Sequence, residues 1–266
     1  MRSLTDKRIL LTGGTGTLGT AAALQFCRLG AELILPVRNP RKAEQLRRTL
    51  LAKFPGARLS FPALDLADEA TVLSLADSLL AQGKPLDGIV HNAGVFTRSG
   101  RTAPGGTEIH MQVNCLSPLW LTVRLLPLLR MSDSPFVLTV TSLSAFWRRA
   151  SVPGKSPTGL YAASKRALLE RICDLAAGIP EIDFVYAHPG VCATGLFLAD
   201  PGQSAYPPAF LRLALPLMKR IFPSPEKAAR SILHAAVYAA DGQLAEPRGL
   251  LHIWGKPALT PLDERL

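Results

Sequence analysis

Short apolar runs alternate with longer amphipathic segments along most of this chain of 266 residues. The short runs predict strands at 8–11, 32–37, 58–63, 86–90, 136–141 and 182–187. The longer segments have apolar residues at helical spacing and predict helices at 18–29, 40–53, 68–81, 107–130 and 159–177. Apolar strands that alternate with helices are typical of a parallel sheet covered on both faces. With a last strand expected at 249–253, the pattern predicts one α/β domain over residues 1–266 with about seven strands.

The segment 195–224 interrupts this alternation, because it combines many large apolar side chains with several prolines. From residue 208 onward its apolar residues fall at helical spacing and form a stripe, made up of Leu211, Leu215, Met218 and Phe222. We interpret the segment as a lid over a substrate pocket lined by Tyr206 and Phe210. The alternative is that the stripe packs on the body of the domain. A helix from 225 to about 240 is expected to follow.

The composition is aliphatic, with 48% hydrophobic but only 6% aromatic residues, which suits helices packed on a sheet. No run reaches the roughly 18 uninterrupted apolar residues of a membrane span. The first eight residues also lack the apolar core of a signal peptide. We therefore expect no transmembrane segment and a cytoplasmic location.

The charges and cysteines narrow the classes of ligand. The net charge is +10, but the basic residues are dispersed apart from short clusters at 38–42 and 47–48. An anionic cofactor or substrate explains such a balance as well as nucleic acid does, and we expect no nucleic-acid partner. The four cysteines form no C-x-x-C pair and have no histidine at ligand spacing, so neither a disulfide framework nor a metal site is expected.

A glycine-rich turn lies between the first strand and the first helix. Glycines at this position allow a tight turn and close approach of the backbone to a ligand, while the helix N-terminus offers free N–H groups to a pyrophosphate. The context therefore predicts a dinucleotide site, with an ordinary glycine-rich loop as the alternative. The cofactor-binding residues predicted here are Thr12, Gly13, Thr15, Gly16, Thr17, Leu18 and Gly19.

The end of the second strand bears on the choice between NAD(H) and NADP(H). Proteins that bind NAD place an acidic residue there for the ribose hydroxyls, about 20 residues after the turn. This chain has Arg38 and Asn39 instead, followed by two more basic residues. A guanidinium pairs with a 2′-phosphate that a carboxylate would repel. We therefore favour NADP(H), with NAD(H) as the alternative and Arg38 as a plain solvated charge in that case.

Tyr161 and Lys165 are four residues apart on a predicted helix, so their side chains share one face. A free phenol has a pKa of about 10, and a neighbouring ammonium favours the phenolate. Such a pair can therefore perform acid-base catalysis near neutral pH. Alone the pair is a weak signal, since Tyr and Lys meet at this spacing on many solvated helices.

The motifs occur together in an order that resembles the short-chain dehydrogenases/reductases, most closely the retinol-dehydrogenase-like branch. The resemblance covers nearly the whole chain and implies a Rossmann-type, doubly wound parallel sheet. It is carried by the glycine turn, Asp65-Leu66, Asn92-Ala93-Gly94, Asn114, Thr141-Ser142, Tyr161-x-x-x-Lys165 and Pro189-Gly190. One departure is Thr17, which occupies a slot where that family places a glycine, while Gly16 precedes it as in the family's extended branch.

The resemblance also implies roles. Tyr161 is the proton donor, Lys165 assists it and holds the nicotinamide ribose, Ser142 binds the substrate oxygen, and Asn114 anchors a water. Ser144 and Ser164 compete with Ser142 for the serine role. Further cofactor contacts are implied for Asp65, Leu66, Asn92, Ala93, Gly94, Pro189, Gly190, Val191 and Thr194. Substrate contacts are expected at Ser142, Ser144, Trp147, Tyr206 and Phe210.

The resulting hypothesis is an NADP(H)-dependent oxidoreductase that acts on the alcohol or carbonyl group of a lipophilic small molecule. A non-enzymatic dinucleotide sensor or scaffold is one alternative, although such a protein need not retain all four catalytic residues. An epimerase or lyase is another, because the glycine spacing is similar to that of the extended branch. Homodimer formation and peripheral contact with a membrane surface stay open.

Overall fold

The computed structural model describes residues 1–98, 100–146, 156–190, 222–249 and 252–265. These residues form one sheet with the strand order β3-β2-β1-β4-β5-β6-β7-β8, parallel from β3 to β7 and antiparallel between β7 and β8. The strands are β1 Arg8–Leu11, β2 Glu32–Ile34, β3 Leu59–Ser60, β4 Gly88–His91, β5 Phe136–Val140, β6 Asp183–Ala187, β7 Gln243–Pro247 and β8 Pro257–Pro261.

Helices cover both faces of this sheet, as the doubly wound prediction requires. They are α1 Thr17–Arg28, α2 Pro40–Lys53, α3 Glu69–Gln82, α4 Ile109–Met111, α5 Ser117–Leu129, α6 Pro157–Ala177 and α7 Pro225–Tyr238. A π-helical turn, Gln112–Leu116, joins α4 to α5, and a 3₁₀ turn, Leu143–Phe146, follows β5. One aliphatic core lies between the sheet and α1, α2 and α7, and the other lies under α3, α5 and α6. The α/β fold class is therefore confirmed.

The end of the sheet differs from the sequence prediction. The described residues of the strand expected at 249–253, namely 249, 252 and 253, are not in a strand. The Gly249 N–H donates instead to the Trp254 carbonyl at 2.7 Å, and Gly255 has a φ of +113°. The strands β7 and β8 flank this turn instead and bring the sheet to eight strands. The hydrophobic pattern indicates neither strand, because β7 contains a glutamate and β8 begins and ends with proline.

The strand order reverses at β1. This strand is hydrogen-bonded to β2 on one side and to β4 on the other, so the chain runs outward in one direction from β1 to β3 and in the opposite direction from β4. In an open parallel sheet the crevice at such a switch point, outside the carboxyl ends of the strands, is where ligands bind. The segments that follow β1, β4, β5 and β6 contain the predicted motifs and all emerge at this edge. The predicted lid at 195–224 lies almost entirely outside the described residues.

Candidate active site

The glycine turn is folded tightly against the segment that follows β4. A Cβ built on Gly19 would lie 2.1 Å from the carbonyl oxygen of Gly13, which itself has a φ of +69°. Asn92 closes the turn from the other side, since its Nδ2 donates to the carbonyls of Thr12 at 2.9 Å and Gly13 at 3.3 Å. The Thr12 hydroxyl oxygen accepts the N–H of Ala93 at 3.1 Å. Predicted cofactor residues from two distant stretches thus form one rigid unit.

This unit fits a dinucleotide. Helix α1 begins at Thr17 with Gly16 as its N-cap, and neither a side-chain cap nor an acidic residue occupies its first turn. The N–H groups and the positive dipole end therefore face the crevice. The buried Oδ1 of Asn92 also has no hydrogen-bond partner among the described residues, which leaves an acceptor beside the turn. Thr15 and Leu18 are half-buried next to these groups, with Leu18 packed against the core.

The predicted adenosine-side residues lie together at the ends of β2 and β3. Arg38 is exposed, with 66% of its side-chain surface accessible, and its Nη1 lies 3.9 Å from Oδ2 of Asp65. Asn39 caps α2, because its Oδ1 accepts the N–H groups of Arg41 and Lys42. The side-chain oxygen of Asn39 is therefore committed to the helix, whereas the Arg38 guanidinium reaches into solvent.

Asn114 lies in the π-helical turn, a distortion that is common at functional sites and that the sequence did not indicate. Its side chain is fully buried and makes structural bonds: Oδ1 accepts the Val95 N–H at 2.8 Å, and Nδ2 donates to the Val95 carbonyl and to Oγ of Ser164, both at 3.0 Å. The Ser164 hydroxyl in turn donates to the Tyr161 carbonyl at 2.8 Å. Asn114 and Ser164 thus connect the π-helical turn to the helix of the predicted proton donor.

Tyr161 and Lys165 both lie on α6, which begins after the N-cap Ser156. Lys165 is only 5% exposed, and its Nζ donates to the Val140 carbonyl at 3.0 Å. Burial lowers the pKa of Lys165 from 10.5 to about 8. A buried ammonium one helical turn from a tyrosine is the arrangement that the proposed acid-base chemistry requires.

Gly94 marks the space beside this ammonium. A Cβ at Gly94 would lie 3.5 Å from Nζ of Lys165 and 3.4 Å from Oδ1 of Asn114. The segment after β4 therefore borders both the glycine turn and the lysine. On the other side, the Phe96 ring packs edge-to-face on the Tyr161 ring, with centroids 5.4 Å apart.

Ser142 and Ser144 lie directly after β5. The Ser144 hydroxyl is 3.1 Å from Oγ of Ser142, and Ser144 is the more deeply buried of the two. Ser144 donates this hydrogen bond to Ser142, and the 3₁₀ turn that contains both Ser144 and Phe146 packs against α6. The preference for Ser142 as the substrate-binding serine stays a prediction.

Pro189 and Gly190 follow β6 at the same edge. Gly190 has a φ of +77°, and a Cβ there would lie 2.6 Å from the Ile253 carbonyl oxygen, so the backbone is packed closely against the β7–β8 connection. His188 is buried, and its pKa is lowered to about 3, mainly by desolvation.

Leu66, a predicted cofactor residue after β3, is buried too, and its carbonyl accepts a hydrogen bond from Ser117 at 2.6 Å. The remaining predicted site residues lie outside the described residues: Trp147, Val191, Thr194, Tyr206 and Phe210.

The family model "short chain dehydrogenase" matches residues 7–200, which include the glycine turn, the lysine and the serines described above. The chain belongs to the short-chain dehydrogenase family. This confirms the resemblance on which the residue roles were based. The roles themselves remain predictions for this chain.

Similar short-chain dehydrogenases extend the comparison. Polyprenol dehydrogenase of Mus musculus is 32% identical in a match that covers 90% of this chain and 77% of that protein. Short chain dehydrogenase rstn4 of Aspergillus nomiae is 36% identical, but its match spans 57% of this chain and only 43% of that relative. A solved short-chain dehydrogenase from Shigella flexneri, in complex with NADP, superposes with a TM-score of 0.63 at 28% identity, covering 82% of this chain and 93% of the other.

Proposed function

We propose that this short-chain dehydrogenase transfers a hydride between NADP(H) and the alcohol or carbonyl group of a lipophilic small molecule. One observation carries the proposal: the buried Lys165 ammonium lies one helical turn from Tyr161, at the same sheet edge as the tight glycine turn. A dinucleotide-binding protein without catalysis has no need of a lysine at a position where burial disfavours its charge.

The residues of the chain divide the work. The glycine turn and Asn92 would hold the pyrophosphate side of the cofactor, and Lys165 would hold the nicotinamide ribose. When bound there, NADP(H) supplies or accepts the hydride. Tyr161 would give its proton to the oxygen that becomes negative during carbonyl reduction, and Ser142 would donate a hydrogen bond to the same oxygen. The positive charge of Lys165 would favour the phenolate left on Tyr161.

Arg38 supports the choice of NADP(H). Its exposed guanidinium is available to a 2′-phosphate, and the similar solved protein from Shigella flexneri is a complex with NADP. We expect Arg38→Asp to weaken NADPH binding by about 10- to 100-fold while changing NADH binding little, because a repelling charge replaces a pairing one. Equal affinity of the unmodified protein for NADPH and NADH, measured by cofactor fluorescence, would contradict this assignment.

The lipophilic substrate class rests on the apolar 195–224 segment of the sequence and on the likeness to polyprenol dehydrogenase. The cytoplasmic location, the homodimer and peripheral membrane contact stay predictions. In the part of the chain that the structure describes, no helix combines the length and the apolar character needed to cross a bilayer.

Tyr161→Phe tests the mechanism. Loss of NADPH absorbance is followed against a panel of long-chain aldehydes, ketones, steroids and retinoids. Because the substitution removes only the hydroxyl, we expect turnover to fall by at least about 100-fold with NADPH binding retained. Tyr238→Phe, at an exposed position on α7, is the control and should keep full activity. Activity of Tyr161→Phe within a few-fold of the unmodified protein would overturn the assignment, and silence of the unmodified protein on the whole panel, with NADPH bound, would favour a sensor.

A further inference from the structure

A buried carboxylate lies in β7, near the reaction centre but outside the predicted site. Glu246 is only 2% exposed. Its Oε2 accepts a hydrogen bond from Nη2 of Arg265 at 3.1 Å, and its Oε1 lies 3.2 Å from Nδ1 of His252. Burial of a charge is unfavourable unless the charge is paired, so the Arg265 guanidinium is held where the carboxylate is, and His252 packs against the same carboxylate. Glu246 therefore connects β7 to Arg265 and to the turn that contains His252.

Through Arg265, Glu246 is connected to the turn that follows Ser142, the predicted substrate-binding serine. The guanidinium of Arg265 lies over the Phe146 ring, with Cζ 5.3 Å from the ring centroid. Phe146 ends the 3₁₀ turn Leu143–Phe146, and Ser144 within that turn is hydrogen-bonded to Ser142. Because Arg265 pairs with Glu246 and stacks on Phe146, it connects this turn to β7.

Through His252, Glu246 is connected to the backbone after β6. His252 has a φ of +54°, a strained value for a residue other than glycine, so its position requires support from its surroundings. The next residue, Ile253, packs its carbonyl against Gly190, and Trp254 stacks on Phe222 with centroids 6.2 Å apart. The contact between Glu246 and His252 thus lies behind the backbone against which Gly190 packs.

We propose that Glu246 is a positioning residue that holds both backbone segments bordering the reaction centre, 142–146 through Arg265 and 189–190 through His252. This inference rests on the proposed function and deepens it. Glu246 belongs to β7 and lies in neither the glycine turn nor α6. It acts on turnover by limiting the movement of the serine turn and of the strand end on the nicotinamide side.

The test is Glu246→Gln, which keeps the size of the side chain and removes its charge. Asp87→Asn is the matched control, because Asp87 is also a buried carboxylate paired with a cation, Lys7, but precedes β4 at the opposite edge of the sheet. We expect kcat of Glu246→Gln to fall about tenfold with the KM for NADPH changed less than about twofold. Backbone hydrogen exchange should accelerate in 142–146 and 252–254 but not in the glycine turn. Asp87→Asn should keep the kcat and the exchange pattern of 142–146, even if its free energy of unfolding falls as much as that of Glu246→Gln.

Arg265→Lys separates positioning from stability, since lysine can pair with Glu246 but cannot stack a planar guanidinium on Phe146. Arg265→Lys should have a higher free energy of unfolding than Arg265→Met. Its kcat should nevertheless stay low, and hydrogen exchange in 142–146 should stay fast. The proposal is overturned if Glu246→Gln folds with unchanged kcat and exchange, or if Arg265→Lys restores both. Should no substrate be turned over by the unmodified protein, the proposed function fails, and the exchange experiment still decides whether Glu246 holds the two segments.

Discussion

Lys165→Met should yield a protein that is inactive and yet more stable at neutral pH. Methionine has a similar length and no charge, so it fills the buried site of Lys165 under β5 without an ammonium. Activity is lost because the predicted partner of Tyr161 is removed. Stability rises because the folded protein no longer buries a charge.

The magnitude follows from the pKa of Lys165, which burial lowers from 10.5 to about 8. At about 1.4 kcal/mol for each pKa unit, the buried ammonium destabilises the folded state by about 3 kcal/mol at pH 7. The substitution also removes the hydrogen bond from Nζ to the Val140 carbonyl, and a charged hydrogen bond contributes about 1.5–3 kcal/mol. The net gain at pH 7 is therefore about 1 kcal/mol.

The pH dependence provides the sharper measurement. Between the folded pKa of about 8 and the unfolded value of 10.5, the unfolded chain binds more protons at Lys165 than the folded chain does, so the stability of the unmodified protein rises with pH in this window. The free energy of unfolding of Lys165→Met relative to the unmodified protein should accordingly fall by about 2 kcal/mol from pH 7 to pH 9.5 in urea unfolding without cofactor. The variant, about 1 kcal/mol more stable at pH 7, should therefore be about 1 kcal/mol less stable at pH 9.5. Lys227→Met, at an exposed position on α7, should show a difference that is constant over this range. A constant difference for Lys165→Met as well would refute the reasoning.

Two further substitutions test the geometry of the site. Gly19→Ala places a Cβ 2.1 Å from a backbone carbonyl oxygen of the glycine turn. We therefore expect the free energy of unfolding to fall by about 1–3 kcal/mol and NADPH binding to be lost in titration calorimetry. Gly56→Ala is the control and should change neither quantity, because its Cβ meets nothing within 4 Å. Ser164→Ala breaks the hydrogen bonds that connect the π-helical turn to α6, so kcat should fall several-fold at an unchanged KM for NADPH. Ser231 on α7 is also buried, and Ser231→Ala should keep kcat. Unaltered NADPH affinity in the first case, or equal kcat of the two serine variants in the second, would count against the described geometry.

The fold was largely predictable because the parallel strands are buried on both faces. Strands such as Arg8–Leu11 and Phe136–Val140 are buried at every position, so their apolar runs stand out in the sequence. The last two strands could not be found in this way. β8 is an antiparallel edge strand with prolines at both ends, and β7 contains the buried Glu246, whose burial depends on Arg265, a residue 19 positions further along the chain.

The site was predictable where a residue type is required by its own chemistry or by a steric limit. Gly13, Gly19, Tyr161 and Lys165 belong to this class, and the structure brings them to one edge of the sheet. What the sequence did not reveal is how these residues are held. The π-helical turn has no signature in residue type. The bond from Asn114 to Ser164 joins two residues 50 positions apart, and nothing in the sequence indicates that they are paired. Ser164 had one available signal, its place directly before Lys165.

The same edge of the sheet concentrates features that oppose folding. Lys165 is buried as a cation, and the neighbouring His91 is kept neutral, its pKa lowered to about 3 by desolvation and by the charge of Lys165. Such groups lower stability where they lie, so the fold must be stabilised elsewhere. The two aliphatic cores lie on the two faces of the sheet and contain few polar atoms. Substitutions in those cores should therefore change stability with little effect on the chemistry, whereas substitutions at the carboxyl edge trade the two against each other, as Lys165→Met does.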